Sequence, residues 1–379
     1  MKRLGIFALA LAVAVWIAPA SLASEVDALL DLLVKKGVVT QEEANGLRQE
    51  IEAQRKAEAA KKKGAPVSTK VPVRISGYAQ MRGTTAQDET DSFVVRRARL
   101  TVSGDVAPRW DYKFQAEFGN TARRVVESVD FANSRTRTTS VQRPLLLDAQ
   151  ANYALGKPGR LSIGQFKVPF SYENLVSSTD LDTINRAQVV ERLVPGRDIG
   201  SQGRDIGLQL SGTRDRLDYA LGVFNGAGID TSDDNDQKDV AARLVFHPDP
   251  VLALGVSWYD GRSGLNRATR DRRGGEVVYR DGPWTLRGEY AAGKDGSIRK
   301  AGWYAHGGYR FDPKWEGIAR FDRFDPDRDA AGDRTDVLTL GVNRFASEAV
   351  KLQLNYERKN EQGPEIHNNA LLAQLQVKF

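Results

Sequence analysis

From about residue 71 to the C-terminus the side chains alternate in polarity with a period of two. Trp110, Tyr112, Phe114, Ala116 and Phe118 alternate with Asp111, Lys113, Gln115 and Glu117. Val350, Leu352, Leu354 and Tyr356 alternate with Lys351, Gln353, Asn355 and Glu357, and Leu371, Ala373, Leu375, Val377 and Phe379 with Leu372, Gln374, Gln376 and Lys378. Side chains change face at each strand residue, so every such segment carries one apolar and one polar face. A soluble sandwich also alternates, with its apolar faces meeting in a core. Here about 300 residues of strand would have to share that core, more than one core usually holds.

The connections separate the two readings. Strands are predicted near 71–82, 91–104, 109–119, 144–155, 159–167, 203–211, 216–225, 238–247, 251–260, 272–281, 283–292, 299–310, 314–323, 334–345, 349–358 and 366–379. Their lengths lie near the roughly 9–11 residues with which a tilted strand crosses a bilayer. Tight turns such as Asp105-Val106-Ala107-Pro108 and His247-Pro248-Asp249-Pro250 alternate with long polar loops. That asymmetry belongs to outer-membrane barrels, and nothing in a sandwich requires it. Trp110, Trp258, Tyr259, Trp284, Trp303 and Trp315 fall near strand ends, where interfacial girdles lie. The expected fold is therefore all-β: a transmembrane antiparallel barrel of about 16 strands over 71–379, preceded by a short helical segment.

The N-terminus reads as an export signal over 1–23. Lys2 and Arg3 precede an apolar run from Leu4 to Ala18, and Ser21-Leu22-Ala23 supplies small residues for cleavage. A retained membrane helix is the alternative, but the run is short and Glu25 and Asp27 follow closely. The absence of cysteine excludes disulfides, thiolate metal sites and a lipoprotein anchor. Residues 24–63 read as two helices. Val26, Leu29, Leu30 and Leu33 share a face, and Thr40 with Glu43 forms a capping box. The second apolar stripe is too thin for a core, so the segment is expected in the periplasm as a tether, a cell-wall contact or a self-association helix. The linker spans 64–70.

Removing Lys2 and Arg3 lowers the net charge from +6 to +4, a modest value of lopsided chemistry. From Gly64 onward there are 34 Arg against 11 Lys. Arg binds oxyanions through two parallel donors, which points to anionic partners; a codon bias toward Arg is the bland alternative. Placement favours the first. Arg97 and Arg99 share the lumenal parity of their strand with Thr101 and Ser103, while Ala98, Leu100 and Val102 face lipid. Arg96 falls on the wrong face unless the strand bulges there, since an Arg facing lipid at mid-bilayer costs roughly 2–4 kcal/mol. The loop over 168–202 is long enough to fold inward as a constriction, and carries Arg186, Arg192 and Arg197 beside Glu173 and Glu191. Arg262, Arg267, Arg270, Arg272 and Arg273 crowd one further loop with Asp271 alone among them. They are expected to funnel anions into the mouth, with lipopolysaccharide phosphates as the alternative partner. Arg123, Arg124, Arg135, Arg137 and Arg143 add a second basic loop.

Phe93-Val94-Val95-Arg96-Arg97-Ala98-Arg99-Leu100, Gly164-Gln165-Phe166-Lys167-Val168-Pro169-Phe170, Leu175-Val176-Ser177-Ser178, Val190-Glu191-Arg192 and the terminal Phe379 resemble the phosphate-selective porin O and P family over roughly residues 71–379. The resemblance implies a sixteen-stranded barrel that assembles as a homotrimer in the outer membrane and passes anions along lumenal arginines. Arg96 and Arg97 match the family's paired constriction arginines, and Ser177 and Ser178 its loop serines. Tyr78 stands in place of a strand-one Arg, Leu147 in place of an acid, with Asp148 beside it, and Asn174 in place of a Lys. Chloride conductance with weak phosphate block is the expectation from those departures.

The function expected is passive diffusion of small inorganic or organic anions, phosphate among them. A general porin without anion specificity and a structural or adhesive barrel are the alternatives. An enzyme is disfavoured, because His247, His306 and His367 are the chain's histidines and no nucleophile motif accompanies them. Asp230 to Asp239 is acidic but lacks the Gly and Glu spacing of a calcium loop. Outer-membrane lipid is the expected surroundings. No cofactor, metal or nucleic acid is expected.

Overall fold

The computed structural model describes residues 73–379 apart from 89, 120–121, 131–134, 143–144, 157–158, 265 and 365, together with the helical residues 35, 41, 42 and 45. Over 122–130 and 135–142 it describes the backbone. The chain divides into two units, Met1–Lys70 and Val71–Phe379. The expected signal sequence and linker lie outside the described residues, as does most of the helical segment. Arg143 of the second basic loop does too.

Eighteen strands make up the second unit: β1 (Val73–Ala86), β2 (Ser92–Ala107), β3 (Trp110–Glu117), β4 (Ala122–Asp130), β5 (Arg135–Gln142), β6 (Leu145–Gly156), β7 (Gly159–Lys167), β8 (Arg204–Arg214), β9 (Leu217–Phe224), β10 (Asp239–Asp249), β11 (Leu252–Ser263), β12 (Ala268–Asp281), β13 (Trp284–Asp295), β14 (Ile298–Asp312), β15 (Trp315–Asp325), β16 (Thr335–Phe345), β17 (Val350–Glu361) and β18 (Ala370–Lys378). Sixteen of them close into one antiparallel barrel, with β18 returning to pair with β1. β4 and β5 stand apart as a two-stranded ribbon inside the β3–β6 connection. The sequence reading treats that stretch as loop. Arg135-Thr136-Arg137-Thr138-Thr139-Ser140 has no apolar face, so it pairs without entering the membrane wall.

The wall is inside out relative to a soluble protein. On β16, Leu338, Leu340 and Val342 are 39%, 48% and 40% exposed, whereas Thr339 and Asn343 are fully buried. Outward apolar side chains meet lipid, and closing the sheet leaves no backbone edge unpaired in hydrocarbon. Phe379 extends the seam beyond β18. Gly77 N donates to Phe379 O and Phe379 N to Gly77 O, both at 3.0 Å. The Phe379 ring lies against Gly77, where a Cβ would come within 2.6 Å of it, so the terminal aromatic needs glycine opposite.

Turns of two to four residues join β2–β3, β6–β7, β8–β9, β10–β11, β12–β13, β14–β15 and β16–β17 at one end. Longer loops alternate with them at the other, save the four-residue β11–β12 and two-residue β13–β14 turns. Trp110 packs on Tyr153 and Trp284 on Tyr309 at the short-turn rim, with ring centroids 4.9 and 4.5 Å apart. Tyr259 corrects the girdle expectation. Its parity on β11 turns it inward, where it is fully buried and its hydroxyl donates to Asp239.

The connection over 168–203 enters the barrel and carries the helices α1 (Tyr172–Leu175) and α2 (Gln188–Leu193). Val189, Val190 and Leu193 of α2 form a buried apolar cluster with Phe166, Phe170, Phe224, Tyr259, Tyr304 and Phe324. Burying each aliphatic side chain is worth about 1.5–3 kcal/mol, enough to hold the loop against the β9–β15 side of the wall. Free space is left on the opposite side.

Candidate functional site

That opposite side carries β1, β2 and β3. Gln80 of β1 pairs with Arg97 and Met81 with Val95, so Arg96 is an extra residue in β2. The bulge turns Arg96 inward beside Arg97, resolving the parity conflict in the sequence. Arg97 Nη1 donates to Gln80 Oε1 at 2.8 Å, and Gln80 Nε2 donates to Ser178 O at 3.1 Å. Arg99 Nε donates to Glu117 Oε2 at 2.7 Å, and its Nη2 reaches Gln202 Oε1.

The inward loop is stapled to the wall by buried polar groups. Glu289 of β13 accepts the backbone N–H groups of Tyr172 and Glu173 at 2.9 and 2.8 Å, and the Tyr304 hydroxyl at 2.7 Å. Asp182 Oδ2 lies 2.8 Å from Arg287 Nη1 and 3.3 Å from His306 Nε2. Arg320 Nη1 donates to Thr183 Oγ1 and Asn185 O at 2.8 and 2.9 Å. Gly203 closes the loop with φ +77°, and a Cβ there would overlap Asn174 Oδ1.

Two chambers result. The outer one, about 610 Å³, is lined by Arg96, Arg97, Arg99, Arg186, Arg192, Arg197, Arg320 and Lys359, and by Glu117, Glu191, Asp322, Glu357 and Glu361 among others. The inner one, about 350 Å³, meets Tyr78, Lys113, Asp148, Lys167, Ser177, Ser178 and Arg204. Arg99 lines both. Arg186 spans the junction: its Nε donates to Glu173 O, its Nη2 to Val176 O and its Nη1 to Ser178 Oγ, at 3.0, 3.0 and 3.4 Å. Burial, then Arg197 and Arg97, push its guanidinium below the ordinary value, against the opposing pull of Glu173 and Glu191.

The family model for phosphate-selective porin O and P matches residues 73–271 and 260–379. The chain belongs to that porin family. Solved structures share the fold at low identity: an anion-selective porin from Comamonas acidovorans (12% identity, 82% of this chain and 100% of that one, TM-score 0.58), Salmonella typhi OmpF in complex with daunomycin (12%, 82% and 98%, 0.59) and the outer membrane channel DcaP of Acinetobacter baumannii (12%, 83% and 99%, 0.56). No curated protein matches the chain. Family and fold together make this porin an outer-membrane channel.

Around the porin's junction stand Arg96, Arg97, Arg99, Arg186, Arg192 and Arg197 on the outer side and Ser177 and Ser178 on the inner. Arg192 also stacks over Phe324 at 5.8 Å. Gln80, bridging Arg97 to the Ser178 carbonyl, separates the two groups. The five arginines of the expected funnel are elsewhere. Arg270 and Arg272 are buried behind the loop and share Asp198 at 2.5 and 2.8 Å, and Arg272 also takes Asp295 at 2.6 Å. Arg262 and Arg267 pair with Asp260 and Asp236 at the loop ends. Arg273 is exposed, at the outward parity of β12. None lines either chamber. The reason is register: β12 runs longer than expected, so most of that arginine run is strand, and alternation turns Arg270 and Arg272 toward Asp198.

Of the three family departures, Tyr78 lines the inner chamber, with the Arg99 guanidinium 5.8 Å over its ring. Leu147 is an extra residue in β6 and fully buried. Neighbouring Asp148 is clamped at 2.6 Å by both Arg204 and Lys113. Asn174 is buried inside the loop. Sequence reasoning missed Arg320, Asp322, Lys359 and Arg204. For Arg320 and Asp322 the signal was present: both sit at inward parity, with Ala319 and Phe321 outward.

Proposed function

We propose that this porin conducts small anions, which pass from the outer to the inner chamber past Arg97, Arg99 and Arg186. The observation that carries the reading is Arg99, which alone among the described residues lines both chambers, set among guanidiniums that outnumber the carboxylates of the outer chamber. Fixed positive charge in a narrow, poorly screened passage lowers the cost of stripping water from an anion and raises it for a cation. Phosphate is among the solutes, held weakly, since Asn174 and Leu147 supply no group to the passage. In keeping with the family, the channel works as a homotrimer, with the 24–63 segment in the periplasm and lipid and lipopolysaccharide around its outer face.

Purified protein in planar bilayers under a salt gradient tests this. An anion-selective reversal potential is expected. A potential near zero would favour a general porin, and a cation-selective one would overturn the reading.

A further inference from the structure

Four of the five carboxylates on the outer chamber are engaged by groups of the wall or its loops. Glu117 accepts from Arg99 Nε and from the backbone N–H groups of Ala98 and Gly119, at 2.7, 2.7 and 3.0 Å. Asp322 accepts from Gln188 Nε2 at 2.8 Å and lies 3.3 Å from Arg320. Glu357 accepts from Asn185 at 2.8 Å, and Glu361 from Asn368 at 2.8 Å.

Glu191 stands differently. It projects from α2 with 42% of its side chain exposed, and its described partner is Arg197 Nη1 at 2.9 Å. Burial opposes its charge, yet Arg197, Arg186 and Arg97, in that order, outweigh burial and hold the carboxyl below its usual range. Arg97 donates to the neutral Gln80 oxygen and Arg186 to carbonyl and hydroxyl oxygens. Among the described residues neither has a carboxylate in hydrogen-bond contact; Glu173 also acts on Arg186, and Glu191 is the negative charge that Arg97 and Arg186 share with Arg197.

We propose that Glu191 is a tethered counter-anion: its carboxylate competes with a passing solute for Arg97, Arg186 and Arg197, and so sets how tightly each anion is held. The inference rests on the anion-channel reading above. A site of three guanidiniums without a counter-charge would hold a divalent oxyanion too long to conduct it, and conduction needs binding weak enough to release. With Val189, Val190 and Leu193 anchored in the core, α2 stays in place and the flexible Glu191 side chain is what yields. A monovalent anion gains little from displacing a carboxylate of equal charge. A doubly charged oxyanion, such as hydrogen phosphate, sulfate or a small dicarboxylate, gains more, which gives the channel a preference by charge.

The test is block of single-channel chloride current by inorganic phosphate in the trimer reconstituted in planar bilayers. Glu191→Gln keeps the shape and a hydrogen bond to Arg197 while removing the charge. It is expected to lower the half-blocking phosphate concentration about tenfold, the effect of a unit charge a few ångströms away in a partly screened site. Glu361→Gln, in the same chamber, is expected to shift it less than about twofold by the same reasoning. Arg197→Gln, which frees the carboxylate, is expected to weaken block. If Glu191→Gln fails to assemble, Glu191→Asp shortens the arm and should move block in the same direction by less. Equal effects of Glu191→Gln and Glu361→Gln, or no effect of the first, would overturn the proposal while leaving anion selectivity standing. Cation selectivity of the wild type would bring down both readings.

Discussion

Asn174 Oδ1 accepts a hydrogen bond from Arg197 Nε at 2.8 Å, while its Nδ2 donates to Val168 O at 3.2 Å. One fully buried amide therefore aims a chamber arginine from the point where the loop leaves β7. Asn174→Ala would leave Arg197 Nε unpaired and the Val168 carbonyl with the Phe170 N–H alone. A loss of about 1–3 kcal/mol is expected, read as a lower heat-modification temperature, together with reduced anion selectivity. Asn174→Lys would bury a second cation against Arg197, so it should destabilise the porin and not strengthen phosphate binding. A stable Asn174→Lys trimer with deeper block would refute this placement.

Arg97→Ala should lower the anion-to-cation permeability ratio and leave the folded trimer intact. The side chain's hydrogen bond is to Gln80, which keeps its bonds to Ser178 O and Gln376 after the substitution. Reversal potentials in a salt gradient decide it; an unchanged value would mean that ions pass elsewhere.

Tyr78→Arg brings a guanidinium into the inner chamber beneath Arg99, at the edge of the passage. Stronger phosphate block than in the wild type is the expected outcome, because a charge within about 8 Å of an anion is poorly screened at physiological salt. Titrating chloride current with phosphate measures it, and block equal to the wild type would show that Tyr78 lies off the ion path.

Arg272 and Arg273 are neighbours in sequence with opposite roles. Arg272→Ala leaves Asp198 with Arg270 and Asp295 with Lys300, and removes the bond to Leu193 O at 2.8 Å, so about 1–3 kcal/mol should be lost, the cost of leaving a buried acceptor unpaired. Arg273→Ala should change stability by less than about 0.5 kcal/mol. Denaturant unfolding of the two variants compares them directly, and similar midpoints would argue against the buried staple.

Asp182 makes the loop's attachment resistant to acid. Burial favours its protonated form, but the His306 contact, Arg287 and Lys351 outweigh burial and hold the carboxyl well below the usual range. A carboxyl lowered in this way stabilises the fold above its unfolded value, about pH 4, and loses that contribution only as pH falls through the lower folded value. Conductance should therefore persist at about pH 4 and become noisy only in stronger acid. Asp182→Asn should show the same noise at neutral pH, and a quiet Asp182→Asn channel would exclude the anchor.

Much of this was readable before any coordinates. Alternation marked the sixteen membrane strands because the pattern is local, and the parity clash at Arg96 required the bulge that lies there. The inward loop was bounded within a residue because Lys167 and Arg204 end patterned strands. The arginine run 262–273 was misread because its meaning depends on Asp198, some seventy residues away, which no local pattern brings into reach. Tyr259 failed for a related reason: nearness to a strand end says nothing about facing until the parity of that strand is counted.

The seam between Gly77 and Phe379 has a consequence for biogenesis. Its two backbone bonds join residues 302 positions apart, so this closure waits until the stretch between them has been delivered. Loop-closure entropy makes so distant a pairing slow, and until it forms β1 and β18 present raw edges. A chain without Phe379 loses both bonds and the ring seated on Gly77. Pairing of β18 with β1 is thus the closing step of the wall, and a copy stalled before β18 keeps two open strand edges.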